Sequence, residues 1–259
     1  MKKRILGAII ILAVCIPSFI IGGYVALVLI GILSLLSYKE LLDVKDDYKI
    51  NNYMKIVGLI STLILSYSSL NGSIILGLSY CSLGIVLILE LLPTIFLKDY
   101  RFTDAIYLVF ITMLSGIVGN MFNMVFIYNK YIFLWLVIIA CMTDVFAYLG
   151  GMLFGKHKLT KISPKKTIEG SIIGTLFGAT IGSLYYILMF HPHDIILFVI
   201  MSILLSIIGQ FGDLFFSLIK RENNVKDYSK IIPGHGGILD RVDSLVFIVI
   251  VFAIIVNIL

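Results

Sequence analysis

The chain has 259 residues, 60% of them hydrophobic and only 14% charged, with a mean hydropathy of +1.08. Ordinary soluble domains are roughly 25% charged, so the composition excludes a water-soluble fold, which would lack the polar surface to cover such a core. A net charge of +5 in a chain of this kind records topology and attraction to anionic lipid, and no nucleic-acid partner is expected.

Long apolar stretches recur throughout, the pattern of membrane helices rather than of a β-barrel. They fall at 5–20, 21–37, 56–70, 73–92, 105–128, 131–152, 171–190, 195–216 and 245–259. The opening "MKKRILGAIIILAVCIPSF" imitates a signal peptide, but Val14 precedes Cys15 and no A-x-A-like site follows, so an uncleaved first span is expected. Pro17, Gly22 and Gly23 interrupt the first two stretches, and either one long helix or a hairpin satisfies the pattern. Charge separates the two. With a hairpin, the N-terminus and the loops 38–55, 93–104, 153–170 and 217–244 share one side and carry 19 Lys or Arg, against Lys130 alone on the other. One helix would lower that split to 16 against 4. The positive-inside rule then predicts an all-α polytopic membrane protein of about nine transmembrane helices, N-terminus cytoplasmic and C-terminus outside. Residues 1–130 form an N-terminal set of about five spans, and residues 131–259 a catalytic region with cytoplasmic loops 153–170 and 217–244. Cys15, Cys81 and Cys141 sit in apolar runs without metal spacing and are expected to be small core residues.

Two aspartates stand where a bilayer penalises charge. Asp144 lies eight residues before the end of its span and Asp213 eight residues before Arg221, so each should face a bundle interior or a watery cavity. On the Asp213 helix, Asp213, Ser217, Lys220 and Asn224 recur at helical spacing as one polar stripe. Beyond the loop, Asp240, Asp243 and Ser244 share a face if the last helix begins near Ile238. Carboxylates so clustered repel unless a cation lies between them. Hard oxygen ligands in small number suit Mg²⁺, which completes its shell with water and substrate phosphate. Asp213, Asp240 and Asp243 are thus the expected metal ligands, for one ion or two bridged ions.

The intervening loop carries Lys220, Arg221, Lys226 and Lys230, then the run Pro233-Gly234-His235-Gly236-Gly237. Glycines let backbone N–H groups approach an anion, and the start of the next helix adds a positive dipole end, which suits a polyphosphate. His235 fits either a phosphate contact or a structural turn. The loop "GKHKLTKISPKKTIEGS" places Ser163, Lys165, Lys166, Thr167 and Glu169 on the same side as Asp144. Residue chemistry alone reaches Mg²⁺-dependent phosphoryl or nucleotidyl transfer at the cytoplasmic membrane surface. An ion-coupled secondary transporter using the intramembrane aspartates is the alternative.

At these residues the chain resembles the phosphatidate cytidylyltransferase (CDP-diacylglycerol synthase) family. Ser217, Lys220, Arg221, Lys226, Asp227, Ser229, Ile232, Pro233, His235, Gly236, Gly237, Asp240, Arg241 and Asp243 stand in the spacing of that family's signature. "GQFGDLFFS", "TDVFAYLGG" and "SPKKTIEG" also look like its segments. The resemblance implies CTP and phosphatidate as substrates, CDP-diacylglycerol and pyrophosphate as products and Mg²⁺ as cofactor, while abundant Ile, Lys and Asn point to a bacterial cytoplasmic membrane as the site. It implies that Asp213, Asp240 and Asp243 hold the metal, with Asp144 near the metal or the cytosine. Lys220, Arg221, Lys226 and Arg241 would hold phosphates, while Ser163, Lys165, Lys166 and Thr167 line a pocket for CTP or lipid phosphate. Membrane enzymes of this size often pair, so a homodimer is an expectation.

Overall fold

The computed structural model describes residues 2–44, 50–68 and 80–258. Among these it has nine α-helices, one 3-10 turn at Leu92–Ile95 and no strand beyond two isolated bridges. The helices are α1 (Lys2–Ile21), α2 (Gly23–Val44), α3 (Asn52–Ser66), α4 (Tyr80–Leu91), α5 (Phe102–Tyr128), α6 (Lys130–Phe154), α7 (Ile168–Phe190), α8 (Ile195–Glu222) and α9 (Leu239–Ile258). Five of them, α2, α5, α6, α7 and α8, are long and apolar enough to cross a membrane, and α1, α3 and α4 contribute shorter apolar helices. The chain is therefore a helical multi-pass membrane protein. The end of the stretch at 56–70 and the start of that at 73–92 lie outside the described residues.

Each apolar stretch of the sequence becomes a helix, and the differences lie at the ends. The first two stretches are separate helices, and Pro17 does not divide them: α1 runs through it. The break comes at Gly22 and Gly23, whose φ angles of 64° and 50° fall in the left-handed region that residues with a Cβ avoid. Helix α2 runs past its apolar window to Val44, so Glu40 stands on a helix rather than in a loop, and α8 runs to Glu222, carrying Asp213, Ser217 and Lys220 as the stripe expected. Asn224 leaves the expected stripe. It follows the C-cap Asn223 and has φ +56°. Cys15, Cys81 and Cys141 are exposed rather than buried, because a lipid-facing surface is as apolar as a helix-bundle core and hydropathy does not tell them apart.

The described chain forms two compact units. The first comprises residues 1–128 with 225–241, so the basic loop groups with the N-terminal helices. Within it, side chains reach backbone carbonyls of neighbouring helices: Tyr107 Oη donates to Leu41 O (2.6 Å), Tyr67 Oη to Leu27 O (2.8 Å) and Asn120 Nδ2 to Leu65 O (2.9 Å). Such bonds fix helices where lipid offers no hydrophobic drive between them.

The second unit comprises residues 129–224 and 242–259. Helices α6 and α7 approach closely: a Cβ on Gly178 would stand 2.9 Å from Thr143 N. Thr143 in turn shares a 2.7 Å hydrogen bond with Ser206 of α8, and Gln210 of α8 donates to Thr175 of α7 (2.8 Å). Trp135, fully buried, is ringed by Tyr186, Phe198 and Phe252. Three helices are thus held in register around Asp144 and Asp213.

Candidate functional site: a basic loop cavity and an acidic cluster

The loop of the first unit folds around a Pro-Gly turn. His235 N donates to Ile232 O (3.0 Å), Pro233 and Gly234 occupy the centre, and Gly234 has φ 73°, as a turn with glycine in its third position requires. Ile232 N then donates to Gly236 O (3.0 Å), closing a one-bridge hairpin. Asp240, in the first turn of α9, stitches the two ends of the loop, its Oδ2 accepting from Tyr228 N and Gly237 N, both at 2.9 Å.

This fold encloses a cavity of about 840 Å³ whose lining includes Lys226, Lys230, Arg241, His235 and Asp227, with Leu6 of α1 as an apolar wall. Three permanent cations against one carboxylate make it a site for an anion. His235 Nδ1 is buried without a hydrogen-bond partner, and a Cβ on Gly7 of α1 would come within 2.5 Å of it.

The amides that open α9 are not available to that anion. The amides of Ile238 and Leu239, at the start of α9, donate at 2.8 Å to Oε1 and Oε2 of Glu40, and that of Gly237 goes to Asp240. Carboxylates thus occupy the amides at the positive end of the helix, and the charge facing an anion in the cavity comes from its side chains. Glu40 is 1% exposed and also accepts from Ser229 Oγ (2.6 Å). Sequence reasoning missed it because hydropathy assigned residues 38–55 to a loop. The one available signal is a carboxylate at the end of a long apolar run, at 40, with Asp43 three residues later.

The second unit holds the other expected residues. Lys166 Nζ lies 2.5 Å from Asp213 Oδ2, and Ser217 Oγ donates to Asp213 Oδ1 (3.3 Å). Ser244 Oγ donates to Asp144 Oδ2 (3.2 Å), and Asp243 Oδ1 accepts from Ser244 N (2.9 Å). Asp243 is buried and feels the charges of Asp213, Asp144 and Lys220. The pairs i, i+4 on α8 and the neighbours on α9 thus bring Asp144, Asp213, Asp243, Lys166, Lys220, Ser217 and Ser244 into one polar cluster.

Residues 155–168 reach this cluster through Lys166. Glu169 accepts from the amides of Lys156 and His157 and from His157 Nδ1 (2.6 Å), and Thr167 Oγ1 caps α7 by accepting from Gly170 N (3.1 Å). Ser163 closes the loop through its carbonyl, which accepts from Lys166 N (3.0 Å). Lys165 and Arg221 are exposed.

Among the described residues, no group of three or more His, Cys, Asp or Glu is placed to hold a metal ion alone. The donor chemistry still fits Mg²⁺. Buried Asp243 interacts with two further carboxylates, and such an ion takes one or two carboxylates and finishes its shell with water and phosphate.

A profile of the cytidylyltransferase family matches residues 2–259. The chain belongs to that family. Relatives of this cytidylyltransferase-family chain include a phosphatidate cytidylyltransferase of Staphylococcus aureus (strain COL), 37% identical over 255 residues, and one of Staphylococcus haemolyticus (strain JCSC1435), 34% identical over 250 residues. Each alignment covers 96% of this chain and 96% of the relative. Membership thus extends over the N-terminal helices, where the sequence alone showed only hydropathy.

Proposed function

We propose that this chain transfers CMP from CTP to phosphatidate, giving CDP-diacylglycerol and pyrophosphate at the cytoplasmic face of a bacterial membrane. The observation that carries the reading is the basic cavity at the signature loop, in a chain whose full-length relatives are phosphatidate cytidylyltransferases. The nine-span topology with a cytoplasmic N-terminus puts every basic loop on that face and accounts for the charge split.

The chemistry follows from charge. An oxygen of the lipid phosphate attacks the α-phosphorus of CTP, the bond to the bridging α–β oxygen breaks, and pyrophosphate departs. The nucleophile is already an anion and needs little general-base help. The barrier lies in bringing two polyanions together and stabilising the leaving group, which positioned cations do. Lys226, Lys230 and Arg241 hold phosphate in the loop cavity, and His235 lines its wall. Lys166 and Lys220 offset the acidic cluster and orient its carboxylates.

Mg²⁺ would be held by Asp213 and Asp243, with Asp144 nearby, and would neutralise phosphate charge when bound. Asp240 commits Oδ2 to two loop amides and acts in this reading by ordering the loop.

Purified protein in mixed micelles with CTP, phosphatidate and Mg²⁺ tests the proposal. It predicts pyrophosphate release that requires both substrates, and CDP-diacylglycerol in the lipid phase. Absence of both, together with cation-coupled solute uptake in vesicles, would favour the transporter.

A further inference from the structure

Glu40 has no role in the reaction as described so far, yet its placement is costly. It stands on α2, 189 to 199 residues away in sequence from the groups it binds, and is almost fully buried. A helix start is ordinarily capped by a local Ser, Thr, Asp or Asn at little desolvation cost. Burying a carboxyl from a distant helix is expensive unless every oxygen is satisfied, and none of the ion pairs among the described residues involves Glu40. Its three bonds are also distributed in a particular way. Ser229 lies before the Pro-Gly turn, and Ile238 and Leu239 lie after it, so one carboxyl clamps both arms of the loop that forms the cavity. Gly237 completes the contact: a Cβ there would stand 2.7 Å from Glu40 Oε2.

We propose that Glu40 is a positioning residue for the transfer reaction: by clamping Ser229 to the start of α9 it sets the register in which Lys226, His235 and Arg241 face the bound phosphate. This rests on the reading of the cavity as the phosphate site. Gln is nearly isosteric, but its amide nitrogen is a donor set against a donor, the N–H of Leu239 or, after a flip, the N–H of Ile238 beside the Ser229 hydroxyl. The Glu40→Gln variant therefore breaks the clamp without emptying the space, and Ser229→Ala removes one arm while leaving the helix cap in place.

The test measures kcat, KM for CTP and melting temperature for wild type, S229A and E40Q in mixed micelles, with hydrogen exchange followed by peptide. The expected result is a graded fall in kcat/KM, on the order of tenfold or more for E40Q because small misplacements of binding groups are that costly. Faster exchange should be confined to 225–241, at temperatures where every variant is fully folded. Wild-type kinetics in both variants, or losses that only track the folded fraction, overturn the proposal. If E40Q does not fold, S229A decides alone by the same two outcomes. An inactive wild type would instead sink the cytidylyltransferase reading, since the clamp would still appear in the exchange data.

Discussion

Lys166 Nζ stands 2.5 Å from Asp213 Oδ2, tying the loop before α7 to an aspartate on α8. The side chains are 27% and 24% exposed, so the pair is partly screened and contributes about 1 kcal/mol or less to stability. Its value lies in where it holds the carboxylate. Lys166→Met should therefore lower kcat/KM by roughly 10- to 100-fold while moving the melting temperature by only a few degrees. Kinetics and a thermal melt on one preparation check this, and equal proportional losses in both would show the pair to be structural.

Arg241 lines the loop cavity as one of its three cations. A lysine keeps the charge but loses the planar fork that matches phosphate oxygens. Arg241→Lys is expected to raise KM for CTP or phosphatidate about tenfold or more, with the fold unchanged. Saturation curves in each substrate, the other held fixed, identify which phosphate it touches.

Gly237 has no room for a side chain: a Cβ would meet Glu40 Cδ and Oε2, both at 2.7 Å. Gly237→Ala should push the loop from its seat on α2 and cut activity by roughly tenfold or more. Because the strain is local, far-ultraviolet circular dichroism should match wild type.

Gly178 tests the other unit. A Cβ would stand 2.9 Å from Thr143 N, and overpacked sites typically cost about 1–3 kcal/mol. Gly178→Val is expected to lower the melting temperature by several degrees, by separating α6 from α7. Its KM values at low temperature should stay close to wild type.

Much of this was legible in the sequence because it is written in local spacing. Apolar windows gave each helix, Pro233-Gly234 gave the turn, and the i, i+4 spacing of Asp213 and Ser217 gave a real hydrogen bond. What was illegible is long-range. Glu40 looked like one more loop charge, since hydropathy ends a helix where charge begins and cannot see that α2 continues into a buried contact. The same blindness placed Asn224 on a helix that ends at Glu222, and set three exposed cysteines inside the core. The positive start of α9 suggested amides open to phosphate, and only the distant carboxylate reveals that those of Ile238 and Leu239 are taken.

One reaction stands at the centre: this chain transfers CMP to a lipid phosphate. The direct measurement is transfer of label from the α-phosphate of CTP into the lipid phase by purified wild type, Asp213→Asn and Lys226→Ala. The account predicts Mg²⁺-dependent labelling by wild type and a loss on the order of 100-fold in each variant. Labelling at the wild-type rate by both variants would contradict it.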